Sequence, residues 1–278
     1  MKANGLQSVE PSNGVADPSR DRKGAICARR VRVGIVLPDD RTRRLTIEIP
    51  DRPYAIAPSF MDSIRSATLT ASADRSGVGL TCMGISLGHA ETWFIRPMLD
   101  DPSILDKAGI TVHAVPAGRG FHWSTPIDPV LPGTLELSAA DGHLCLVNEL
   151  SIETYLAGVI TAEMSGTCPI EFLKAQAIAA RSWMLAATER KHADLGIDYC
   201  NDDCCQRYQG LEGLTPSARV AVEATKGQVL VHASGAVVDA NYSKCCGGIV
   251  EAPEHVWGFA KAGQASVVDG PGESHIQS

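Results

Sequence analysis

Glu163 and a trio of cysteines are the residues of this chain best suited to chemistry. Glu163 belongs to Thr161-Ala162-Glu163-Met164, which the sequence places in a short break between two helices. Ser151 caps the first, and Ile152, Tyr155, Leu156, Val159 and Ile160 recur at helical spacing as an apolar stripe that faces a core. The second opens with Pro169 at its first position and Glu171 in its first turn, then runs through an alanine-rich stretch to about Thr188. A carboxyl held in a rigid elbow between buried helices is partly desolvated, and desolvation disfavours its charged form and raises its pKa. A general acid needs that property. On residue type alone a capping or ion-paired glutamate competes with this reading. Glu153 and Glu171 are the internal controls: both fall in first turns, where compensation of the helix dipole accounts for them.

Cys200, Cys204 and Cys205 have a spacing that lets thiolates converge on one tetrahedral zinc ion. Three cysteines do not complete a four-ligand site, so Cys245 or Cys246, a histidine or water must finish it. Two readings stay open: a structural zinc site close to the acid, and reduced or disulfide-paired cysteines without metal. Asp198, Asp202 and Asp203 read as solvated or turn-forming, and Trp183 and Met184 as core. A Cys-His hydrolase is the bottom-up competitor, but neither cysteine cluster is followed by a protease signature, and doubled cysteines fit metal binding better. No phosphate-binding glycine loop or amphipathic cofactor box is present, so no organic cofactor is expected.

The elements around these residues have the composition of an ordinary soluble protein, with 278 residues, 44% hydrophobic and 21% charged. A net charge of -7 argues against nucleic-acid binding through general electrostatics, and Arg41, Arg43 and Arg44 read as a solvated strand edge. The sequence holds no apolar run long enough for a transmembrane helix. Residues 1–29 read as a disordered tail in which Met1 to Lys23 is polar and lacks the apolar stretch of a signal peptide. Of the nine cysteines, Cys27, Cys82, Cys145 and Cys168 are scattered and read as small buried hydrophobes.

Residues 30–148 carry strand signals: alternation at Val31, Val33, Ile35 and Leu37 and at Leu45, Ile47 and Ile49, with further strands over Ile110 to Val115 and Thr134 to Leu137. Asp141-Gly142 predicts a hairpin between Leu135–Ala139 and Leu144–Asn148, and Pro126, Pro129 and Pro132 predict a loop. After the two helices, a third is bracketed by Thr215 as N-cap, Pro216 and Gly227, with Val220 and Ala224 on one face. Gln228–His232 and Ala236–Tyr242 predict a C-terminal β-hairpin. The expected class is α+β: a β-rich N-terminal segment packed with a helical core and that hairpin.

Five pieces in register resemble the stage II sporulation protein D family, or SpoIID/LytB domain: E-L-S-I-E-T-Y-L-A-G-V-I-T-A-E-M (149–164), L-K-A-Q-A-I-A-A-R-S-W (173–183), D-Y-C-N-D-D-C-C-Q-R-Y-Q-G (198–210), A-V-E-A-T-K-G-Q-V-L (221–230), and Y-S-K-C-C-G-G-I-V-E (242–251) with H-V-W-G (255–258). The resemblance implies a core over 149–258 that acts on peptidoglycan glycan strands as a lytic transglycosylase, or a non-catalytic wall-binding module or enhancer of a cell-wall amidase. It implies a cell-envelope location, while the N-terminus leaves a cytoplasmic one open. It identifies Glu163 with the family's catalytic acid. The family usually has a histidine where this chain has Cys204, and that position and the one matching Cys200 contribute to zinc in some members. The family's further C-terminal stretch, with a Ser-Gly pair and an Arg followed by Leu-Gly-Leu, is not matched, so 259–278 is expected to be a loose tail on a shortened or incomplete domain.

A lytic transglycosylase needs one carboxyl. The acid protonates the glycosidic oxygen and then, as a carboxylate, takes the proton of the muramyl C6 hydroxyl as the anhydro ring closes. Gln206, Tyr208, Tyr242 and Ser243 offer hydrogen bonds and stacking for sugar rings, with Gly247 and Gly248 allowing close backbone approach; the competing reading is that Tyr242 and the glycines end the hairpin. Gln176 and Arg181 are expected to brace the catalytic loop.

Overall fold

The alternating apolar positions become strands in a computed structural model that describes residues 24–59, 63–98, 109–187, 191–261 and 264–269. One six-stranded sheet runs edge to edge through β14 (Tyr199–Cys200), β1 (Arg30–Val36), β13 (His143–Ser151), β12 (Thr134–Ala140), β7 (Thr92–Pro97) and β3 (Tyr54–Ala57). The other runs through β11 (Val130–Leu131), β8 (Ile110–Val112), β2 (Arg44–Ile49), β4 (Ala67–Asp74), β5 (Gly77–Cys82) and β6 (Ile85–Ala90). Pairing within both is antiparallel except β1 with β14, which is parallel. Val31, Val33, Trp93, Ile95, Leu135 and Leu137 of the first sheet share one core with Ile47, Leu69, Ala71 and Leu80 of the second. Each such side chain contributes about 1.5–3 kcal/mol on burial. Trp93 pins the sheets together by donating its indole N–H to the Val78 carbonyl at 2.8 Å.

The expected hairpin forms. Asp141 and Gly142 adopt φ of 50° and 75°, the left-handed pair of a two-residue turn, and Ala140 pairs with His143. β13 then runs directly into helix α1 (Ile152–Met164), whose start is fixed by Ser151 Oγ accepting from the Thr154 N–H at 3.1 Å. Helix α2 (Ile170–Ala186) and helix α3 (Pro216–Ala224) complete a second core. There Ala157, Ile160, Leu173, Ala177, Ala218, Ala221 and Val222 meet, and the small side chains let the helices approach closely. The class is α+β.

Several local expectations change. Glu163 lies in the last turn of α1 rather than in the break, which spans residues 165–169 and begins where Ser165 turns to φ 84°. Pro169 is the N-cap of α2, one residue before its first turn, and Thr188 lies outside the described residues. Val220 is exposed, because α3 buries Ala218, Ala221 and Val222 instead. Ile110 to Val115 is broken by Ala114 at φ 56° into β8 and β9 (Val115–Ala117). Pro126 belongs to β10 (Thr125–Ile127), paired with β9, rather than to a loop; that edge position leaves its missing N–H harmless.

The C-terminal hairpin shrinks to a turn closed by a single Val231–Val237 bridge, with His232 N–H to Ala236 O at 2.8 Å and Val238 N–H to Leu230 O at 2.9 Å. Its ladder stops because the Leu230 N–H turns away to Ser182 Oγ on α2 at 2.8 Å. The disordered-tail expectation over residues 1–23 lies outside the described residues; residues 24–27 form a helical turn that buries Ile26. Of 259–278, Val267–Val268 pairs with Ile249–Val250, while 262–263 and 270–278 lie outside the described residues.

Candidate active site

The last turn of α1 delivers Glu163 to a polar cleft of about 190 Å³ lined by Glu163, Trp183, Asp203, Cys205, Gln206, Asn241, Tyr242 and Lys244. Its Oε1 accepts the Arg207 main-chain N–H at 2.9 Å and the Tyr242 hydroxyl at 3.4 Å. Burial pushes the Glu163 carboxyl above its ordinary pKa, and the nearby Asp203 charge pushes the same way; the Arg207 N–H, the Tyr242 hydroxyl and the Arg207 charge oppose it. A carboxyl at a helix C-terminus also faces the negative end of the dipole. With both donors on Oε1, Oε2 is the oxygen left to carry a proton. Burial likewise raises Asp203, and burial next to Glu163 raises Tyr242 well above the phenol range, so Tyr242 stays a neutral donor.

The fold brings Gln206 and Tyr242 to Glu163, but not the other expected sugar-binding residues. Tyr208 is a core residue: its ring packs on Tyr155 at 5.1 Å, its hydroxyl donates to Asn148 Oδ1 at 3.0 Å, and it has no free face for a sugar. Gln206 is buried, its amide donating to the Ala180 carbonyl at 3.2 Å while Oε1 is unpartnered among the described residues. Ser243, Gly247 and Gly248 are exposed and line no part of the cleft; Gly247 and Gly248, at φ 71° and 99°, serve the turn into Ile249–Val250.

The bracing expected of Gln176 and Arg181 also changes. Arg181 is fully buried and pairs with Glu153 through Nη2–Oε2 at 2.6 Å and Nε–Oε1 at 3.2 Å, while Nη1 donates to the carbonyls of Ala177 and Gln228. It ties α2 to the start of α1, the end opposite Glu163. Glu153 is therefore more than a dipole-compensating residue. Gln176 is buried, its amide nitrogen unpartnered among the described residues, and lies outside the cleft lining.

Sequence reasoning missed Trp183, Asp203, Asn241 and Lys244 as cleft residues. Trp183 was expected in the core and is half-buried against Tyr199 at 5.5 Å. Asp203 gives the one recoverable signal, since it sits between cysteines and three residues from Gln206.

Beside the cleft, His192, Cys200, Cys204 and Cys205 bring their ligand atoms within 4.8 Å of one another. Cys200 Sγ and Cys204 Sγ are 3.1 Å apart, and Cys204 Sγ is 3.8 Å from His192 Nε2. Thiol donation from Cys200 and Cys205 together with His192 draws Cys204 strongly toward thiolate, while Cys200 is pushed up as donor. The donor set suits one tetrahedral zinc, whose ligands sit 2.0–2.3 Å from the metal. His192 adds a fourth potential donor to the three cysteines, the position the sequence left open. Cys246 turns instead to Asp269 Oδ2 at 3.3 Å.

Residues 140–232 match the family model described as Stage II sporulation protein (SpoIID). This stretch of the chain is similar to that family. The chain is similar to an uncharacterised protein of Brachyspira hyodysenteriae, 36% identical over 128 residues, which is 46% of this chain and 34% of that protein. It is also similar to an amidase enhancer of Bacillus subtilis, 38% identical over 102 residues, 37% of this chain and 13% of that protein. The chain thus spans about a third or less of each of these relatives. The matched segment contributes Glu163, the four-residue donor set and the Trp183–Gln206 side of the cleft, whereas Asn241, Tyr242 and Lys244 follow it.

Proposed function

We propose that this chain has a cell-wall role and cleaves peptidoglycan glycan strands without hydrolysis. The carrying observation is a single half-buried glutamic acid with a raised pKa, held through one oxygen by two donors in a polar cleft. Protonated Glu163 gives its proton to the glycosidic oxygen as the bond to the departing sugar breaks. The resulting carboxylate, stabilised by the Arg207 N–H and the Tyr242 hydroxyl, removes the proton of the muramyl C6 hydroxyl. That oxygen closes the anhydro ring, so acid and base are the same group and no water is consumed. Burial, and after it repulsion from Asp203, favours the protonated form of the resting acid. Zinc, when bound by His192, Cys200, Cys204 and Cys205, supplies structural cross-linking: these residues fix the loop whose Arg207 N–H reaches Glu163. The reading places the protein at the cell envelope.

Digestion of peptide-free glycan strands followed by mass analysis of the products tests this. Anhydro-muramyl ends made by the wild type and abolished in Glu163→Gln are expected; unchanged products in that variant remove Glu163 as the acid. The amidase enhancer relative supports a second reading, in which the same cleft binds wall without cleaving it. Strand binding and amidase stimulation without any anhydro product would favour it.

A further inference from the structure

Three tyrosine rings pack beside the cysteine–histidine donor set, and one of their hydroxyls lacks an acceptor among the described residues. Tyr155 of α1 packs on Tyr199, with ring centroids 6.3 Å apart, and on Tyr208, at 5.1 Å. Tyr199 immediately precedes Cys200, and Tyr208 follows Cys205 by three residues. Tyr199 gives its hydroxyl proton to the Met184 carbonyl at 2.6 Å, and Tyr208 gives its own to Asn148 Oδ1 at 3.0 Å. The Tyr155 hydroxyl is fully buried and unpartnered among the described residues. Such a group is costly to bury, and phenylalanine would fill the same core without it. Burial keeps the phenol protonated, and the ionisable groups it senses are Tyr242, Cys205, Tyr199 and Cys200. The two tyrosines already donate, to Glu163 and to Met184. The other two groups belong to the donor set. Cys200 Sγ is engaged with Cys204 Sγ at 3.1 Å, whereas Cys205 packs against the core that holds Tyr155.

We propose that the Tyr155 hydroxyl donates to the Cys205 thiolate when the four donors hold zinc, which makes Tyr155 a positioning residue of that site. Thiols lose their protons to ligate a metal. Three thiolates and one imidazole around a divalent ion leave one net negative charge in a partly buried place, and buried charge requires donors. Tyr155 is a donor already in position, since full burial and two ring contacts fix it before any metal arrives. Hydrogen bonds of this kind orient the ligands and tune the affinity of the site. The proposal rests on the metal reading of the four donors and not on strand cleavage. It also ties the metal to the acid, because Tyr155 and Glu163 lie on one helix, eight residues apart.

Zinc affinity of the full reduced chain, measured by competition with a chromophoric chelator, and thermal melts of its metal-free and zinc-loaded forms test it. Tyr155→Phe raises the zinc Kd roughly tenfold to a hundredfold. Its metal-free form melts no lower than the parent, because the unsatisfied hydroxyl is gone, while its zinc-loaded form melts lower. A merely structural tyrosine would lower both melts and leave Kd alone. Tyr208→Phe is the control: its hydroxyl is satisfied by Asn148, so both melts fall and Kd stays within about threefold. With cobalt(II) in place of zinc, the thiolate-to-metal charge-transfer band of Tyr155→Phe moves to longer wavelength, since a thiolate stripped of its donor gives up charge more readily. If Tyr155→Phe does not fold, NMR of the wild type carries the test, and the Tyr155 hydroxyl proton moves downfield on addition of zinc. An unchanged Kd in folded Tyr155→Phe, a metal-free melt that falls as far as the loaded one, or a hydroxyl proton indifferent to zinc overturns the assignment. An unchanged Kd with a displaced pH limb of strand cleavage gives the hydroxyl to Tyr242 instead, which also overturns it. A wild-type chain that binds no zinc removes the metal reading together with the proposal, whereas a zinc-binding wild type with an unaffected Tyr155→Phe removes the proposal alone.

Discussion

Removing the guanidinium of Arg181 separates scaffold from site. Arg181 is fully buried, makes a two-point contact with Glu153 at 2.6 and 3.2 Å, and donates to two carbonyls. Arg181→Met leaves the Glu153 carboxylate buried with the Gly227 N–H at 3.1 Å as its remaining donor, and leaves Ala177 O and Gln228 O short of one. Breaking a buried pair from one side costs about 3–5 kcal/mol. For a protein of this size that lowers Tm by on the order of 10 °C. Arg181→Met with Glu153→Leu removes both charges and the need to solvate them, and recovers most of the loss. Thermal and urea unfolding of the two singles and the double give the coupling by a double-mutant cycle. Below its own melt, Arg181→Met keeps strand cleavage within about threefold, because Arg181 is no part of the cleft lining and a group outside the reacting geometry adds no transition-state contact. A single variant costing less than about 1 kcal/mol, against the buried-pair expectation, refutes the reasoning. So does a folded variant whose cleavage falls a hundredfold or more.

Three further outcomes follow from the geometry. In the proposed mechanism strand cleavage requires protonated Glu163, so kcat/KM is expected to fall as pH rises through a pKa above the ordinary glutamate value; Tyr242→Phe removes a donor that favours the carboxylate and moves that limb to higher pH, and a move to lower pH counts against the assignment. Protein purified under reducing conditions carries about one zinc, chelation lowers Tm, and Cys204→Ser retains less than about half an equivalent; a wild type with that little metal discards the site. Gly158→Ala costs about 1–3 kcal/mol in urea unfolding, since its Cβ would sit 2.6 Å from the Tyr208 ring and 2.7 Å from Gly210 O; a neutral result means the α1–Tyr208 contact is looser than described.

Local signals carried far into this fold where they coincided with burial. Ser151, the Asp141-Gly142 turn and the alternation of β2 are short-range devices, and each stands where the sequence placed it; β1 alternates only as far as Val33, after which a register shift between Gly34 and Val36 buries consecutive residues and the strand ends before Leu37. The failures share a cause: the deciding partner is distant in sequence. Leu230 gives its N–H to Ser182, not to a strand, and no period within 228–242 records that. Glu153 looks like dipole compensation until Arg181, 28 residues on, is found against it. Gln206 and Tyr208, two residues apart, have different surroundings, because Tyr208 meets Tyr155 and Asn148 while Gln206 borders the cleft.

The site itself is assembled by the same long-range logic. Glu163 was legible as a residue, and its helix end gives the carboxyl a direction but no partners. Those partners come from Arg207, 44 residues later, and Tyr242, 79 residues later. The arrival of Arg207 depends on the cysteine loop, since Asn201 accepts into its backbone carbonyl the Tyr208 N–H at 3.1 Å and gives its own N–H to Gly34 O at 3.0 Å, hanging the loop from β1. β14 makes that edge pairing, and Arg119 grips the loop from the other side through Asn201 Oδ1 at 2.7 Å. The β-rich half of the chain is thus part of the acid's environment: it sets the height at which the Arg207 N–H meets Glu163 Oε1. Without that framework the carboxyl would lose a donor to its charged form, and its pKa would rise further, which in the proposed reaction works against the base that Glu163 becomes in the second half.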